Sequence, residues 1–370
     1  MKIGTISRTA KFAFANAILA AFLVSSGVTF AGANNPGAVS PHQSGFSIQP
    51  SPPVLGGGGN NILATNIEWA NVSTDWATGT NWVGGTAPAD STTINVASFG
   101  VQAGSPVNPV LGAARSVAGV SFLSGAFSYT ISGSTLTIGS SGISNSATNT
   151  ETFSNTVRPS INQTWTAASG ATTILNGITD INGTTAANRF LTVAGAGATT
   201  FNGVVQNSFA GSTGHLTVTS TGTVTLANTN TYNGGTVVSG SGGTLLATKD
   251  GALGTGNVSL TASGVTLTLQ SGATNNYIAD TASLSIVTGS TMNLNFTGTP
   301  DTVSLLFENG VMKLAGLYGS AASGAPNVLP EFTGLGEIFV AIPERSTWSM
   351  LVMGAALLVG VQRWRRRRTS

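Results

Sequence analysis

From Arg115 to Phe296 the chain alternates apolar residues with Thr or Ser at a period of two, in short runs closed by Gly or Asn. Ser116-Val117-Ala118-Gly119-Val120-Ser121-Phe122, Ser134-Thr135-Leu136-Thr137-Ile138, His215-Leu216-Thr217-Val218-Thr219 and Gly264-Val265-Thr266-Leu267-Thr268-Leu269 are examples. A period of two gives each strand one buried face and one wet face. The intervening Gly and Asn supply turn geometries that β-branched residues resist. No sustained apolar stripe at helical spacing, with caps, occurs between residues 61 and 340. The body is predicted to be all-β.

Two all-β architectures compete, a sandwich or barrel and a solenoid. Most runs are only four to six residues long, and strand-turn-strand echoes recur, as in Gly222-Thr223-Val224-Thr225-Leu226, Gly243-Thr244-Leu245-Leu246 and Gly256-Asn257-Val258-Ser259-Leu260. Coils of about 20–25 residues, rising about 4.8 Å each, would turn Ser116–Phe296 into about eight rungs, roughly 40 Å long. Turn-facing Asn228, Asn230, Asn233 and Asn257 would then stack between rungs. The pattern favours the solenoid, a parallel β-helix.

Charge separates this body from its ends. Charged residues are 7% of the chain, against about 25% in an ordinary soluble domain. Between residues 34 and 342 there are five basic residues (Arg115, Arg158, Arg189, Lys249, Lys313) and eleven acidic ones, a net charge of −6. That removes the electrostatic basis for binding nucleic acid. There is no cysteine, so disulfides and thiolate metal sites are excluded.

The basic residues gather at the termini, beside apolar runs. Lys2, Arg8 and Lys11 precede the 13-residue run Phe12–Val24, and small residues lead to Ala31-Gly32-Ala33. This is the three-part pattern of a secretory signal peptide over residues 1–33, cut by signal peptidase after Ala33 to leave Asn34 first. At the other end Ile342-Pro343-Glu344-Arg345-Ser346-Thr347-Trp348 leads into the apolar run Ser349–Val361, then Gln362-Arg363-Trp364 and Arg365, Arg366, Arg367 and Arg368. A helix over residues 348–361 would be roughly 21 Å long, short for a hydrocarbon core of about 30 Å. It would sit in the inner membrane by thinning the bilayer, with Trp348 and Trp364 at its interfaces and the arginines cytoplasmic.

This tail resembles the PEP-CTERM sorting signal of Gram-negative bacteria that make extracellular polysaccharide. That family combines a Pro-Glu-Pro motif, an apolar helix and a basic end, recognised by exosortase, a membrane-embedded protease. Pro343 and Glu344 match; Arg345 stands where the second Pro is usual. The resemblance implies processing by an exosortase-like protease, transient anchoring in the inner membrane, and delivery to the cell surface or the extracellular matrix.

A second resemblance lies in the body. Leu226-Ala227-Asn228-Thr229-Asn230-Thr231-Tyr232-Asn233-Gly234-Gly235-Thr236-Val237-Val238-Ser239-Gly240, then Gly243-Thr244-Leu245-Leu246 and Ala252-Leu253-Gly254-Thr255-Gly256-Asn257-Val258, is similar to the autotransporter-associated β-strand repeat. The resemblance implies a right-handed parallel β-helix serving as a surface-displayed stalk. A conventional autotransporter would instead end in a membrane β-barrel.

The expected organisation is a signal peptide (1–33), a Pro/Gly-rich leader (34–60), a Trp-rich cap (61–115), the solenoid (116–296), a C-terminal β segment (297–341) and the sorting tail (342–370). Trp69, Trp76 and Trp82 carry two readings: closing the open end of the solenoid, or stacking on sugar rings as a carbohydrate contact. For catalysis the sequence offers little. His42 lies in the leader and His215 opens a strand, and no hydrolase, metalloprotease, EF-hand or phosphate-loop motif occurs. The enzymatic rival is a polysaccharide lyase or hydrolase on a β-helix, for which Asp180, Arg158 and Arg189 would have to meet across rungs. No catalytic residue, metal or cofactor is assigned. The expectation is a non-catalytic, exported scaffold or adhesin, with extracellular polysaccharide as a candidate partner; the alternatives are the polysaccharide enzyme and a carbohydrate-binding module.

Overall fold

A computed structural model of the chain describes residues 64–341. The expected signal peptide with its cleavage site at Ala31, Ala33 and Asn34, the expected leader, and the expected sorting tail with Pro343, Glu344, Trp348 and Arg365–Arg368 lie outside the described residues.

The described chain is a parallel β-solenoid of about nine turns. Apart from one 3-10 turn, Gly79–Asn81, it contains no helix, and no helix among the described residues is long and apolar enough to cross a membrane. Two long sheets form the walls. The first follows Thr65–Glu68, Asn95–Phe99, Arg115–Phe122, Leu136–Asn145, Gln163–Ala167, Asn188–Gly195, Thr213–Val218, Thr236–Val238, Val258–Leu260, Ser283–Ile286 and Leu305–Glu308, all parallel. The second stacks ten parallel strands from Val110–Leu111 to Phe332–Gly334. A narrow third strip, Val157–Pro159, Thr179–Asp180 and Val205–Gln206, closes one corner. Eight strands of the second sheet fall within residues 116–296, one per rung. The parallel pairing already begins at Thr65, so the Trp-rich segment belongs to the stack itself.

In-register stacking places like side chains above like. In the second sheet the inward row Ile131, Phe153, Leu175, Phe201, Leu226, Ala247, Leu269, Leu294 is continuous and fully buried. Its outward counterpart includes Thr223, Thr244, Thr266 and Thr291 on four successive rungs. The alternation predicted from sequence is thus the wall pattern of the solenoid.

The core changes character along its length. At the amino end, Trp69, Trp76 and Trp82 pack edge to face at 4.9 Å, and all three lie 6.1–6.2 Å from the Phe99 ring. Phe99 continues onto Phe122 at 5.2 Å and Tyr129 at 5.3 Å, and Phe122 onto Phe153 at 5.8 Å. The Trp69 indole donates to Val107 O at 2.9 Å, and that of Trp82 to Trp76 O at 2.7 Å. Further along, the core is mostly Leu, Val and Ile.

The segment around Tyr232 shows why its residue types occur together. Asn230 is buried and ties three rungs: its Oδ1 accepts from Val205 N at 2.7 Å, and its Nδ2 donates to Ala252 O at 2.6 Å. The Tyr232 hydroxyl, in the core, lies 2.6 Å from Thr236 Oγ1, which donates to Leu253 O at 3.1 Å. Gly234 lies against His215, where a Cβ would sit 2.5 Å from the ring. Gly235 has φ +98°, and a Cβ there would meet Asn257 O at 2.6 Å. The other asparagines also bridge rungs. Asn228 Nδ2 donates to Asn202 O at 2.9 Å, and Asn202 Nδ2 to Asn176 Oδ1 at 2.8 Å. Asn233 N donates to Asn207 Oδ1 at 3.0 Å, and Ser283 N to Asn257 Oδ1 at 2.9 Å.

The carboxyl end departs from pure parallel stacking. Leu305–Glu308 turns back into Val311–Met312 as an antiparallel hairpin, the last strand of the first sheet. Residues 301–340 add a four-stranded mixed sheet, ordered Asp301–Val303, Glu337–Val340, Gly316–Gly319, Asn327–Val328.

Two substitutions test this account through urea midpoints. Phe99→Ala removes the ring on which three tryptophans pack and is expected to cost about 3–5 kcal/mol. Gly235→Ala forces a Cβ into a left-handed, crowded position and is expected to cost about 1–3 kcal/mol. A loss below 0.5 kcal/mol at either position (about the level of a neutral surface change) would contradict the packing described.

Candidate functional site

The three tryptophans singled out from sequence are 0–1% exposed. Stacking on a sugar needs an open ring face, and these faces are spent on one another and on Phe99. The carbohydrate-contact reading of Trp69, Trp76 and Trp82 is therefore corrected: their place is in the core.

The residues of the enzymatic rival come together only in part. Arg158 and Asp180 sit on adjacent rungs of the third strip, with Arg158 Nη2 at 3.0 Å and Nε at 3.2 Å from Asp180 Oδ2. Ser208, one rung further, donates its hydroxyl to the same oxygen at 2.6 Å and its N–H to Oδ1 at 3.0 Å. Asp180 is 1% exposed, and Gly183 lies so close that a Cβ there would be 2.1 Å from Oδ2. The aspartate is thus sealed by its partners, and both oxygens are engaged, which makes it a clamp joining three rungs at a corner. Arg189 stands apart, its Nη2 3.4 Å from Thr185 Oγ1.

His215 also has a packing role. Its ring stacks on Phe190 of the preceding rung at 4.3 Å and 13°, and Gly234 covers the next position. Burial holds its pKa below the usual imidazole value. Phe190 remains 43% exposed.

Two acidic groups were missed from sequence, Glu151 and Asp301. Glu151 has the parity of Phe153 in Thr150-Glu151-Thr152-Phe153, and Asp301 that of Val303; both therefore point inward, and both are 0% exposed. The signal was present in the alternation. Glu151 Oε2 accepts from Tyr129 N at 2.8 Å, and Asp301 Oδ2 from Tyr277 N at 3.3 Å and Ile278 N at 3.2 Å. Glu151 Oε1 and Asp301 Oδ1 find no partner among the described residues. Burial disfavours the ionised form and outweighs these hydrogen bonds, pushing Glu151 up to about 7 and Asp301 up to about 8. Among the described residues no group of three or more His, Asp or Glu is placed to hold a metal ion.

What the structure offers outward is a wall of regularly spaced, mostly uncharged donors and acceptors. Thr164, Thr192 and Thr217 line one row of the first sheet, and the Thr223 row lines the second. Each row repeats at the inter-strand spacing of about 4.8 Å.

The buried acids give a pH dependence of defined sign. Both folded-state pKa values are raised, so the folded protein holds more protons than the unfolded one between pH 4 and 8. Their contribution is full below about pH 4 and is lost as pH rises through 7 to 8. The urea midpoint is expected to fall over that window, and Glu151→Gln with Asp301→Asn is expected to flatten the slope, whatever the change in absolute stability. A slope unaltered in the double variant would refute the assignment.

No family model, no curated protein and no solved structure matches the chain.

Proposed function

We propose that this protein is an exported scaffold or adhesin of the cell surface or extracellular matrix, whose solenoid is a stiff arm carried between an export signal and a membrane-anchoring sorting tail. The observation that carries the reading is the wall of the stack: in-register rows such as Thr164-Thr192-Thr217 and Thr223-Thr244-Thr266-Thr291, on a continuous core of about nine turns. At about 4.8 Å per turn the arm is roughly 43 Å long. Such a surface suits weak hydrogen-bonding contacts that become useful when repeated, as on an extracellular polysaccharide.

The ends supply the route. The Lys2–Ala33 pattern supports export through signal peptidase, and the tail from Pro343 to Arg368, similar to a PEP-CTERM signal, supports anchoring in the inner membrane and release by an exosortase-like protease. The similarity of residues 226–260 to the autotransporter-associated repeat further supports right-handed winding and a stalk-like role.

Intact-mass measurement of the protein from cells and from culture medium tests this reading. The released form is expected to begin at Asn34 and to lack the apolar tail. A cell-associated form that begins at Asn34 but keeps Arg365–Arg368 would reduce the tail to a plain anchor. A chain retaining both ends in the soluble fraction would overturn the proposal.

A further inference from the structure

The last layer of the solenoid carries an unusual share of exposed apolar side chains. Six exposed large hydrophobics fall in residues 311–341: Val311, Met312, Leu314, Val328, Leu335 and Phe339. Residues 111–310 hold only four, so the excess belongs to the end and not to solenoid walls in general. Five more lie between residues 64 and 110, at the opposite end, among them Val72 and Val101.

All six sit on terminal elements. Val311 and Met312 form the outermost strand of the first sheet, Leu314 leads from it into the mixed sheet, and Val328 lies on that sheet's edge strand. Leu335 follows the last strand of the second sheet, and Phe339 pairs with Leu317 across the mixed sheet. Leu314 is 80% exposed, although Tyr318 anchors its backbone by a 2.8 Å hydrogen bond from the hydroxyl to Leu314 O. Charge is muted here. Lys313 is ion-paired with Glu308, Glu331 is buried, and the half-buried Glu337 shares the parity of Phe339 on its strand. Exposed apolar side chains concentrated at one ordered end are what a contact surface carries.

The chain itself names the occupant. The described fold ends at Ala341 within this layer, and the apolar run begins at Ser349, with seven residues, 342–348, between them. Seven residues reach at most about 25 Å. If the tail is in a bilayer, the end of the solenoid lies within that distance of the lipid, whereas the amino end stands a solenoid length away. We infer that the carboxyl-terminal layer is a membrane-resting face: Val311, Met312, Leu314 and their neighbours dip into the interfacial region of the bilayer, standing the arm on the membrane. This inference rests on the anchoring reading proposed above. Its partner is a lipid surface, engaged by apolar side chains and not by basic ones.

A chain without cysteine makes the test direct, because each introduced cysteine is unique. Full-length Leu314→Cys, Met312→Cys, Val72→Cys and Thr217→Cys variants, each carrying an environment-sensitive fluorophore, are reconstituted into phosphatidylcholine vesicles containing headgroup nitroxide lipid. The substituted positions lie on the surface or the outer wall, so folding is expected to be retained, and urea midpoints verify it. Quenching at Leu314 and Met312 is expected to exceed that at Val72 and Thr217 at least threefold. If the protein floats with vesicles but all four labels are quenched alike, the membrane-resting face falls while the anchor stands. A protein that does not float overturns the anchoring reading and this inference with it. Shielding of Leu314 that grows with protein concentration in the absence of lipid would identify the face as a contact between copies, and would overturn the inference equally.

Discussion

Parallel, in-register stacking is the constraint on which the rest of this molecule depends. A strand in the solenoid satisfies its backbone groups only by pairing with the rung before and the rung after. Once one register is set, every inward position becomes a column, and each column must be filled along its whole length. The column from Ile131 to Leu294 shows the result, with Phe, Leu and Ala exchanged freely as long as the side chain is apolar. Volume is shared between neighbouring columns, so a small Ala247 is tolerated beside larger neighbours. A polar residue in a column is a different matter, since water is not there to receive it. Asn145, Thr236 and Asn230 are accommodated because each has a fixed partner on an adjacent turn of the chain.

The same constraint explains why asparagine and paired glycine recur at the corners. A corner breaks the ladder, leaving N–H and C=O groups that the next rung does not meet by itself. Asn230 supplies one acceptor and one donor to groups 25 and 22 residues away, which is a rung in each direction. Asp180 does comparable work with Arg158 and Ser208 at the corner below. A carboxylate with a cation and two donors is expensive to break apart but adds little over an apolar corner. Its position at a corner where three rungs meet gives it a different value: it holds their relative register.

How far the sequence discloses this depends on the scale of the question. Alternation alone is enough for the all-β class, and strand length together with repeat spacing is enough for rungs of the right number, because both follow from local parity. Parity also contains the inward placement of Glu151 and Asp301, yet residue type argues the other way, and a carboxylate reads as surface unless its column is traced. The Trp cluster shows the opposite ambiguity. Residue type allows both a platform and a core, and only the position of Phe99, thirty residues after Trp69, decides for the core. The antiparallel hairpin at Val311–Met312 is invisible for another reason. Glu308-Asn309-Gly310 reads like any other turn in the chain, and whether the next strand climbs or folds back depends on the absence of a further rung to pair with.

The two ends of the stack solve one problem in different ways, and the difference bears on how the molecule works. At the amino end three large rings turn inward and lock on Phe99, while Val72, Val83 and Val101 stay outside. At the carboxyl end the mixed sheet covers the core but leaves Leu314, Val311 and Leu335 outside. Along the wall between, charge is sparse, so contacts made there rest on hydrogen bonds from Thr, Ser and Asn and are little affected by salt. The arm therefore has a wet, weakly interacting length and exposed apolar residues gathered at its ends, most densely at the carboxyl one, and any orientation it adopts against another phase is set there.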